Sequence, residues 1–382
     1  MRFEELSQVS SYVSERIRTD GVNLDNYVST ENMISERGGV TKATKLPSGK
    51  TISAFQKGDI LISNIRPYFK KIWLADKSGG CSNDVLVVRA NEKISNRFLY
   101  YVLSSDNFFD YAVGTSKGTK MPRGDKKAIM KYKVPIYSLV EQEKIAEVLR
   151  AFDKKIILNK QINHHLEQMA QAIFKSWFVD FEPFGGKMPN DWTIGKLSDV
   201  LKLIKNGINY NDKQKLPYVP IDILPMHSLS LNSYKSNDEA KSSLITFKKN
   251  DILLGAMRVY FHRVCISPFT GITRSTCFVL RPFNKIYLEY CLLTCNLKSS
   301  IKYAQSTSKG STMPYAVWEN GLAELKIPIP TEKVMKNFSK IVSPLIKTLQ
   351  DSIYEIENLQ NLRDTLLPKL LSGEISVNQA TK

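Results

Sequence analysis

Two stretches of this chain carry side chains suited to contact with a polyanion. They read Gly114-Thr-Ser-Lys-Gly-Thr-Lys-Met-Pro-Arg123 and Ser306-Thr-Ser-Lys-Gly-Ser-Thr-Met-Pro-Tyr315. Small residues let a backbone come close to a phosphate, hydroxyls and N–H groups donate to it, and Lys117, Lys120, Arg123 and Lys309 add positive charge. Neither stretch is a nucleotide-binding P-loop, because the GxxxxGK[ST] spacing is absent. The competing reading is an ordinary solvated turn; against it, this is one of the best-retained segments between two otherwise divergent copies. A second pair of stretches is Ser63-Asn64-Ile65-Arg66-Pro67-Tyr68-Phe69-Lys70-Lys71 and Gly255-Ala256-Met257-Arg258-Val259-Tyr260-Phe261-His262-Arg263. Arg66 and Arg258 match by position. An arginine can read guanine with two bonds, and an asparagine such as Asn64 can read adenine. Lys70 and His262 belong to the same expected contact set, with Arg274, which stands where the first copy has Ser82. Copies that differ there would read different sequences. Tyr68 and Tyr260 fit either this surface or the core.

Catalytic patterns are missing. No glycine-rich dinucleotide fingerprint follows a strand-like run, and there is no Asn/Asp-Pro-Pro-Tyr-type tetrad, HExxH or nucleophile elbow. His164, His165, His227 and His262 form no triad or metal cluster. Cys291 and Cys295 lie four apart, with no His or Cys pair elsewhere to complete a zinc site. Triplets such as Asp125-Lys126-Lys127 arise by chance in a Lys-rich chain. No catalytic residue and no metal site is expected.

The elements that must position these stretches occur twice. Leu6-Ser7 and Val9 correspond to Leu197-Ser198 and Val200, and Tyr27–Glu31 to Tyr218–Asp222. Phe55–Ile62 corresponds to Phe247–Leu254, Val87–Arg89 to Val279–Arg281, Met121-Pro122 to Met313-Pro314, and Lys133–Ile136 to Lys326–Ile329. Each copy reads as mixed α and β. Asp59–Ile65 and Val85–Arg89, with Asp251–Leu254 and Cys277–Arg281, are β-branched-rich runs expected to be strands. Arg97–Ala112 and Tyr287–Ala304 have helical spacing, so the Thr-Ser-Lys-Gly segments fall in the loops after them. Phe184–Trp192 is the turn-rich break between the halves.

A heptad seam follows each copy. Ile145, Leu149, Phe152, Ile156, Asn159, Asn163, Leu166, Ala170, Ile173 and Trp177 alternate steps of four and three, the pattern of a long helix packed along its length. Leu139–Phe178 contains no Gly or Pro and spans roughly 60 Å as a helix. The second seam is Phe338, Val342, Leu345, Leu349, Ser352, Ile356, Leu359, Arg363, Leu366 and Leu370. Pro344 is expected to kink it and Pro368 to end or bend it. In repeat register the polar pair Asn159 and Asn163 faces Ser352 and Ile356, and polar seam residues fix register at some cost in stability.

The expected fold is α+β. Two globular α/β bodies in tandem are separated by two long helices that form an antiparallel coiled coil with approximate two-fold symmetry. The boundaries are 1–138, 139–183, 184–331 and 332–382. Such a molecule would carry its two bodies at opposite ends of a spacer, which suits duplex DNA read at two half-sites.

The charge supports that reading. Of a net +17, residues 1–138 hold +8, residues 139–186 −1, residues 187–331 +9 and residues 332–382 +1. Two basic bodies on neutral rods point to two contacts with a polyanion. With 42% hydrophobic residues the chain folds. No apolar run is long enough to span a bilayer, the start MRFEELSQVS is no signal peptide, and five cysteines without framework spacing point to a reducing cytoplasm.

With these features in place, the chain resembles the specificity subunits of type I restriction–modification systems over nearly its whole length. Glu141–Ile145, Leu158–Asn163 and Phe174–Phe181 resemble the central conserved region of that family, and Leu367–Glu374 the end of its distal region. Tyr27–Met33 and Lys187–Trp192 resemble the openings of its recognition domains, although the first half lacks the Pro-x-x-Trp found in the second. The resemblance implies two target-recognition domains, each reading half of a split sequence in double-stranded DNA, with the helices as a fixed ruler. It implies that two methyltransferase subunits dock on the helices and carry S-adenosylmethionine to modify adenine. Restriction subunits using ATP and magnesium would join them, and this chain would hold no cofactor and catalyse nothing. The exposed helix faces and the Trp177–Phe181 aromatic cluster are candidates for docking, the cluster's alternative being internal packing. Other classes remain: a DNA methyltransferase or nuclease with its own catalysis, and a coiled-coil adaptor that never touches DNA.

Overall fold

A computed structural model describes residues 2–208, 216–231, 233–241 and 243–380. It divides into two compact units, Met1–Lys155 with Leu359–Lys382, and Ile156–Asn358. Each contains one globular body and segments of both long helices.

The two bodies follow one plan. In the first, Arg2–Glu5 pairs antiparallel with Lys133–Ile136, so the chain closes the body beside its own start before entering the long helix. The main sheet runs Ser10–Tyr12, Val85–Ala90, Ile60–Ser63, Ile72–Leu74. A second sheet runs Arg16–Arg18, Thr51–Phe55, Gly79–Cys81, Tyr27–Val28. In the second body Thr193–Lys196 pairs with Lys326–Ile329. Its main sheet runs Leu201–Leu203, Cys277–Pro282, Ile252–Gly255, Val264–Ile266, and a ribbon pairs Leu244–Phe247 with Gly271–Arg274. The central strands, Ile60–Ser63 and Ile252–Gly255, are buried throughout.

Register in each main sheet is fixed by a buried ion pair. Asp59 lies opposite Arg89 at the edge of the Ile60–Val88 pairing, and Asp251 opposite Arg281. Both carboxylates are about 1% exposed and each takes two guanidinium bonds, at 2.8 and 2.8 Å in the first body and 2.6 and 2.7 Å in the second. Each also accepts a backbone N–H, from Gln56 and from Lys248. The retained Asp and Arg were both visible in the repeat; that they pair was not.

Each expected helix beside the sheet is in fact two. Asn96–Ser104 and Asp106–Gly114 break at Ser105, whose extended backbone (ψ 151°) starts the second helix and whose hydroxyl accepts from Phe108 N. Leu288–Asn296 and Lys298–Ser306 break likewise at Leu297 (ψ 139°), without a side-chain cap.

The long helices are Leu139–Phe178 and Glu332–Ser372. The first opens on a reciprocal cap, with Ser138 Oγ accepting from Glu141 N while the Glu141 carboxylate accepts from Ser138. The second runs uninterrupted through Pro344 and Pro368, so Pro368 does not end it. Of the seam, Ile145, Leu149, Ile156, Val342 and Leu349 are buried. Phe152, Leu166, Ile173, Leu345, Ile356, Leu359 and Leu366 are half-buried. The deeper positions include Phe174, Phe178, Ile346, Ile353 and Leu367, one residue beside the seam. The buried stripe is wider than a heptad seam because each helix segment also lies against its own body. In the second unit Phe174 and Phe178 pack with Tyr290 and Phe338. Trp177 stacks on Phe184 and Phe338, and Phe181 on Trp192, so that aromatic cluster is engaged within its unit.

The units differ at one equivalent position. In the first, Tyr101 donates to Asp153 (2.7 Å), which pairs with Arg363 (2.7 Å). The corresponding residues of the second unit are Leu293, Ile346 and Ala170, all buried in its core.

Replacing Asp251 by alanine leaves the Arg281 guanidinium against the sheet without its partner. A loss of about 3 kcal/mol is expected, read as a lower urea midpoint for the transition that includes the second unit.

Candidate nucleic-acid interface

The central strand of each body ends in a corner of unusual backbone. After Ile60–Ser63 comes Arg66 in the left-handed region (φ 49°), a 3-10 turn over Pro67–Phe69, and Lys70, again left-handed (φ 50°). After Ile252–Gly255 come Arg258 (φ 50°), a turn over Val259–Phe261, and His262 (φ 51°). Bulky residues rarely adopt this conformation, and a matched pair persists only where its surroundings hold it. Hydrogen bonds do so here: Ser63 N to Lys71 O and Gly255 N to Arg263 O close the two corners.

The Thr-Ser-Lys-Gly loop is the other support. Lys117 and Arg123 exchange both backbone bonds at 2.9 Å, as do Lys309 and Tyr315, making a tight hairpin in each body. Gly118 (φ 92°) and Gly310 (φ 88°) take a conformation that a side chain would strain. Each hairpin docks on its corner, with Arg66 N donating to Pro122 O (2.8 Å) and Arg258 N to Pro314 O (2.7 Å). The two stretches singled out in the sequence are therefore one surface in each body.

That contact shows compensating change between the copies. A Cβ on Gly124 would meet Asn64 Oδ1 and Ile129 Cδ1, both at 2.9 Å. In the second body the equivalent pair is Ala256 and Ala316, where the smaller residue makes room for the added methyl.

The expected site residues divide. Lys117, Lys120, Arg123, Arg258, Arg274 and Lys309 are exposed. Lys117 pairs with Asp125 (2.7 Å) and Arg123 with Asp84 (3.1 Å); no ion pair among the described residues engages Lys120, Arg258, Arg274 or Lys309. Arg66 is half-buried, with Nε lacking a partner. Three expectations are corrected. Asn64 is 8% exposed and fills the space beneath the hairpin, so its amide does not face outward. Lys70 is held by Asp106 at 2.6 Å. His262 is buried and donates from Nε2 to Asn296 O (2.9 Å). Arg274 lies on the separate ribbon rather than at the corner. Tyr68 and Tyr260 are 45% and 44% exposed, each against an exposed neighbour, Phe69 and Phe261, so both tyrosines belong to the surface.

The sequence reading missed the strap behind each corner. Arg37 N donates to Lys70 O and His227 N to His262 O, both from left-handed residues (φ 59° and 56°). In the first body Asp106 binds Arg37 and Lys70 together. In the second the His227 and His262 rings lie 4.8 Å apart, and Lys298 stands where the first has Asp106. Burial lowers the His262 pKa, with His227 and Lys298 adding to the effect. The intervening chain differs between copies, so no motif marked the strap.

Among the described residues no group of three or more His, Cys, Asp or Glu could hold a metal ion. No described helix is long and apolar enough to cross a membrane. All five cysteines are free and buried, and burial pushes the Cys81 thiol up to about 12.

The duplicated body, with its cation-bearing corner, defines a class of paired recognition domains. A sequence model of the type I restriction modification DNA specificity domain matches residues 23–168 and again 189–358, so the chain belongs to that family of DNA-recognition components. It is 28% identical to the type I restriction enzyme MjaIX specificity subunit of Methanocaldococcus jannaschii, over 94% of this chain and 86% of that protein. It is 25% identical to the HindI specificity subunit of Haemophilus influenzae, over 97% and 98%. The fold is similar to that of the type I restriction-modification S subunit from M. genitalium (TM-score 0.61, 17% identity, 97% and 95% of the two chains).

Two outcomes follow from the corners. Gly124→Ala should lower the melting temperature of the first unit, and adding Asn64→Ala should recover the part of the loss due to Asn64 while the Ile129 contact keeps the rest; a double-mutant cycle measures the coupling. For the second corner, a neutral His262 contributes stability above about pH 6.5 that is lost as pH falls through its lowered folded value. The Asp106 carboxyl of the first corner, desolvated but held below its ordinary value by Lys70 and Arg37, keeps its contribution into more acid conditions. Amide exchange at residues 258–262, corrected for intrinsic rates, should therefore accelerate between pH 7.5 and 5.5 while residues 66–70 stay protected.

Proposed function

We propose that this chain reads a split target in double-stranded DNA, one body per half, through the surface made by each corner and its hairpin. The observation that carries this reading is the repetition of one held backbone, left-handed residue, 3-10 turn, left-handed residue, at the same place in both bodies. Exposed Lys117, Lys120, Lys309 and Arg258 suit phosphate oxygens, and Tyr68 and Tyr260 offer ring faces beside them. The recognition bodies would occupy 1–138 and 184–331, with 139–183 and 332–382 as the helical regions between and after them.

Catalysis on this reading belongs to partners. A second apolar stripe on the first long helix, Leu158, Ile162 and Met169, is exposed at steps of four and seven on a face other than the packed seam. It suits a docked methyltransferase subunit better than the engaged Trp177–Phe181 cluster does. S-adenosylmethionine would be held by that partner, and ATP and magnesium by restriction subunits, all in the cytoplasm.

The test maps methylated adenine genome-wide in host cells with and without the gene. One motif of two specified blocks around an unspecified spacer should disappear, and exchanging residues 1–138 should alter a single block. Persistence of every motif in cells where the chain co-purifies with a methyltransferase would overturn the reading. Ile162→Asp should abolish co-purification while the purified chain keeps its circular-dichroism melt.

A further inference from the structure

We propose that the position shared by Arg123 and Tyr315 is where the two bodies are made to read different bases, with Arg123, held by Asp84, selecting a guanine that Tyr315 cannot select. This rests on the corner and hairpin being the DNA-contacting surface.

One chain carrying two copies of a site provides its own control. Both copies would meet the same sugar–phosphate backbone but different bases. Surface positions kept in both copies then serve the common contact: Lys117 and Lys309, Ser116 and Ser308, Arg66 and Arg258, Met121 and Met313. A position that changes chemistry while its backbone stays the same is free to serve the base. Arg123 and Tyr315 meet that condition most fully. Each exchanges two backbone bonds with its loop lysine and bridges to the corner, through Ile65 in one body and Met257 in the other. Their side chains therefore leave from matching points, and both are outward, Arg123 58% and Tyr315 47% exposed.

Other differing positions fit less well, and Arg274 against Ser82 lies on the separate ribbon, off the corner and hairpin. Asn64 and Ala256 are buried, Lys70 and His262 are anchored in their straps, and Lys71 and Arg263 bond to the carbonyls of Thr30 and Ile221. Lys120 against Thr312 lies at the hairpin tip, where a lone ammonium suits a phosphate better than a base pattern.

A neighbour changes with the pair. Asp84, whose carboxylate forms an ion pair with Arg123 Nη2 at 3.1 Å, corresponds to Thr276 in the second body. Asp84 thus acts as a positioning residue, drawing the guanidinium to its side by charge and leaving N–H groups for the fork that matches guanine O6 and N7. Tyrosine has one hydroxyl and a ring, so the second body cannot make that contact and reads its half-site otherwise.

The experiment maps the methylated motif in cells that carry the full-length chain with its own modification partner. Arg123→Ala should make one guanine of one block degenerate, its preference falling roughly ten- to a hundredfold, with the other block unchanged. Tyr315→Ala should alter only the other block. Arg123→Lys keeps the charge but loses the fork and should relax the same guanine; if Arg123→Ala ends all methylation, a relaxed block in Arg123→Lys supports the proposal and an unchanged motif overturns it. Unchanged motifs in both alanine variants also overturn it. Lys117→Ala with Lys309→Ala separates the two levels: the pair should reduce methylation at every site without changing the motif. That reduction beside an unchanged Arg123→Ala motif sinks this inference alone, whereas no effect from any of these variants sinks the contact surface itself.

Discussion

Each body depends on one buried carboxylate gripped by one guanidinium. Asp59 and Arg89, like Asp251 and Arg281, face each other across the pairing at the point where each central strand begins. Slipping that pairing by one residue would turn every inward side chain outward and leave a buried charge without a partner. The clamp stands where each central strand begins, and by fixing register it sets which residues reach the far end, where the corner starts. Partial solvent access to the arginines, 27% and 28% exposed, limits the desolvation cost of keeping an ion pair there.

Duplication gives the corner its strongest physical argument. Two bulky left-handed residues in one loop are a strain; the same two in a second loop, under different side chains, are a requirement of the shape. The copies meet it by different means. One ties its strap with Asp106 between two permanent cations, the other with two imidazoles and a backbone carbonyl. Beneath the hairpins Asn64 with Gly124 gives way to Ala256 with Ala316, which conserves filled space rather than residue identity. The outer face is free of that constraint, and there the copies diverge in charge.

The helices obey a related logic. The first unit joins body and helices through Tyr101, Asp153 and Arg363, while the second presents Leu293, Ile346 and Ala170 at the same places. Gln142, fully buried and bonded to Ser95 N and Tyr137 O, corresponds to buried Met335. Each set is satisfied only by its own kind, since an apolar group set against the Asp153–Arg363 pair would strand a charge. The sequence difference between two similar halves thus favours one pairing of segments over its exchange.

Much of this molecule was determined by the sequence alone. The repeat, the two long helices, the central strands and the separation of basic bodies from neutral rods all follow from local periodicity, turn residues and the placement of charge, which act over a few residues. The family resemblance rested on the same contiguous stretches. Contacts distant in sequence were decided only by the tertiary structure. Whether Asn64 faced a ligand or the hairpin depended on Gly124, sixty residues later. Lys70 and His262 read as free surface groups until Asp106 and Asn296 were brought beside them. Pro368 reads as an end or a bend of the helix, and the helix continues past it, because packing of Leu367 and Leu370 against the first body outweighs one lost backbone bond. A side chain's chemistry is fixed by its type, but its availability is set by neighbours that no short pattern brings together.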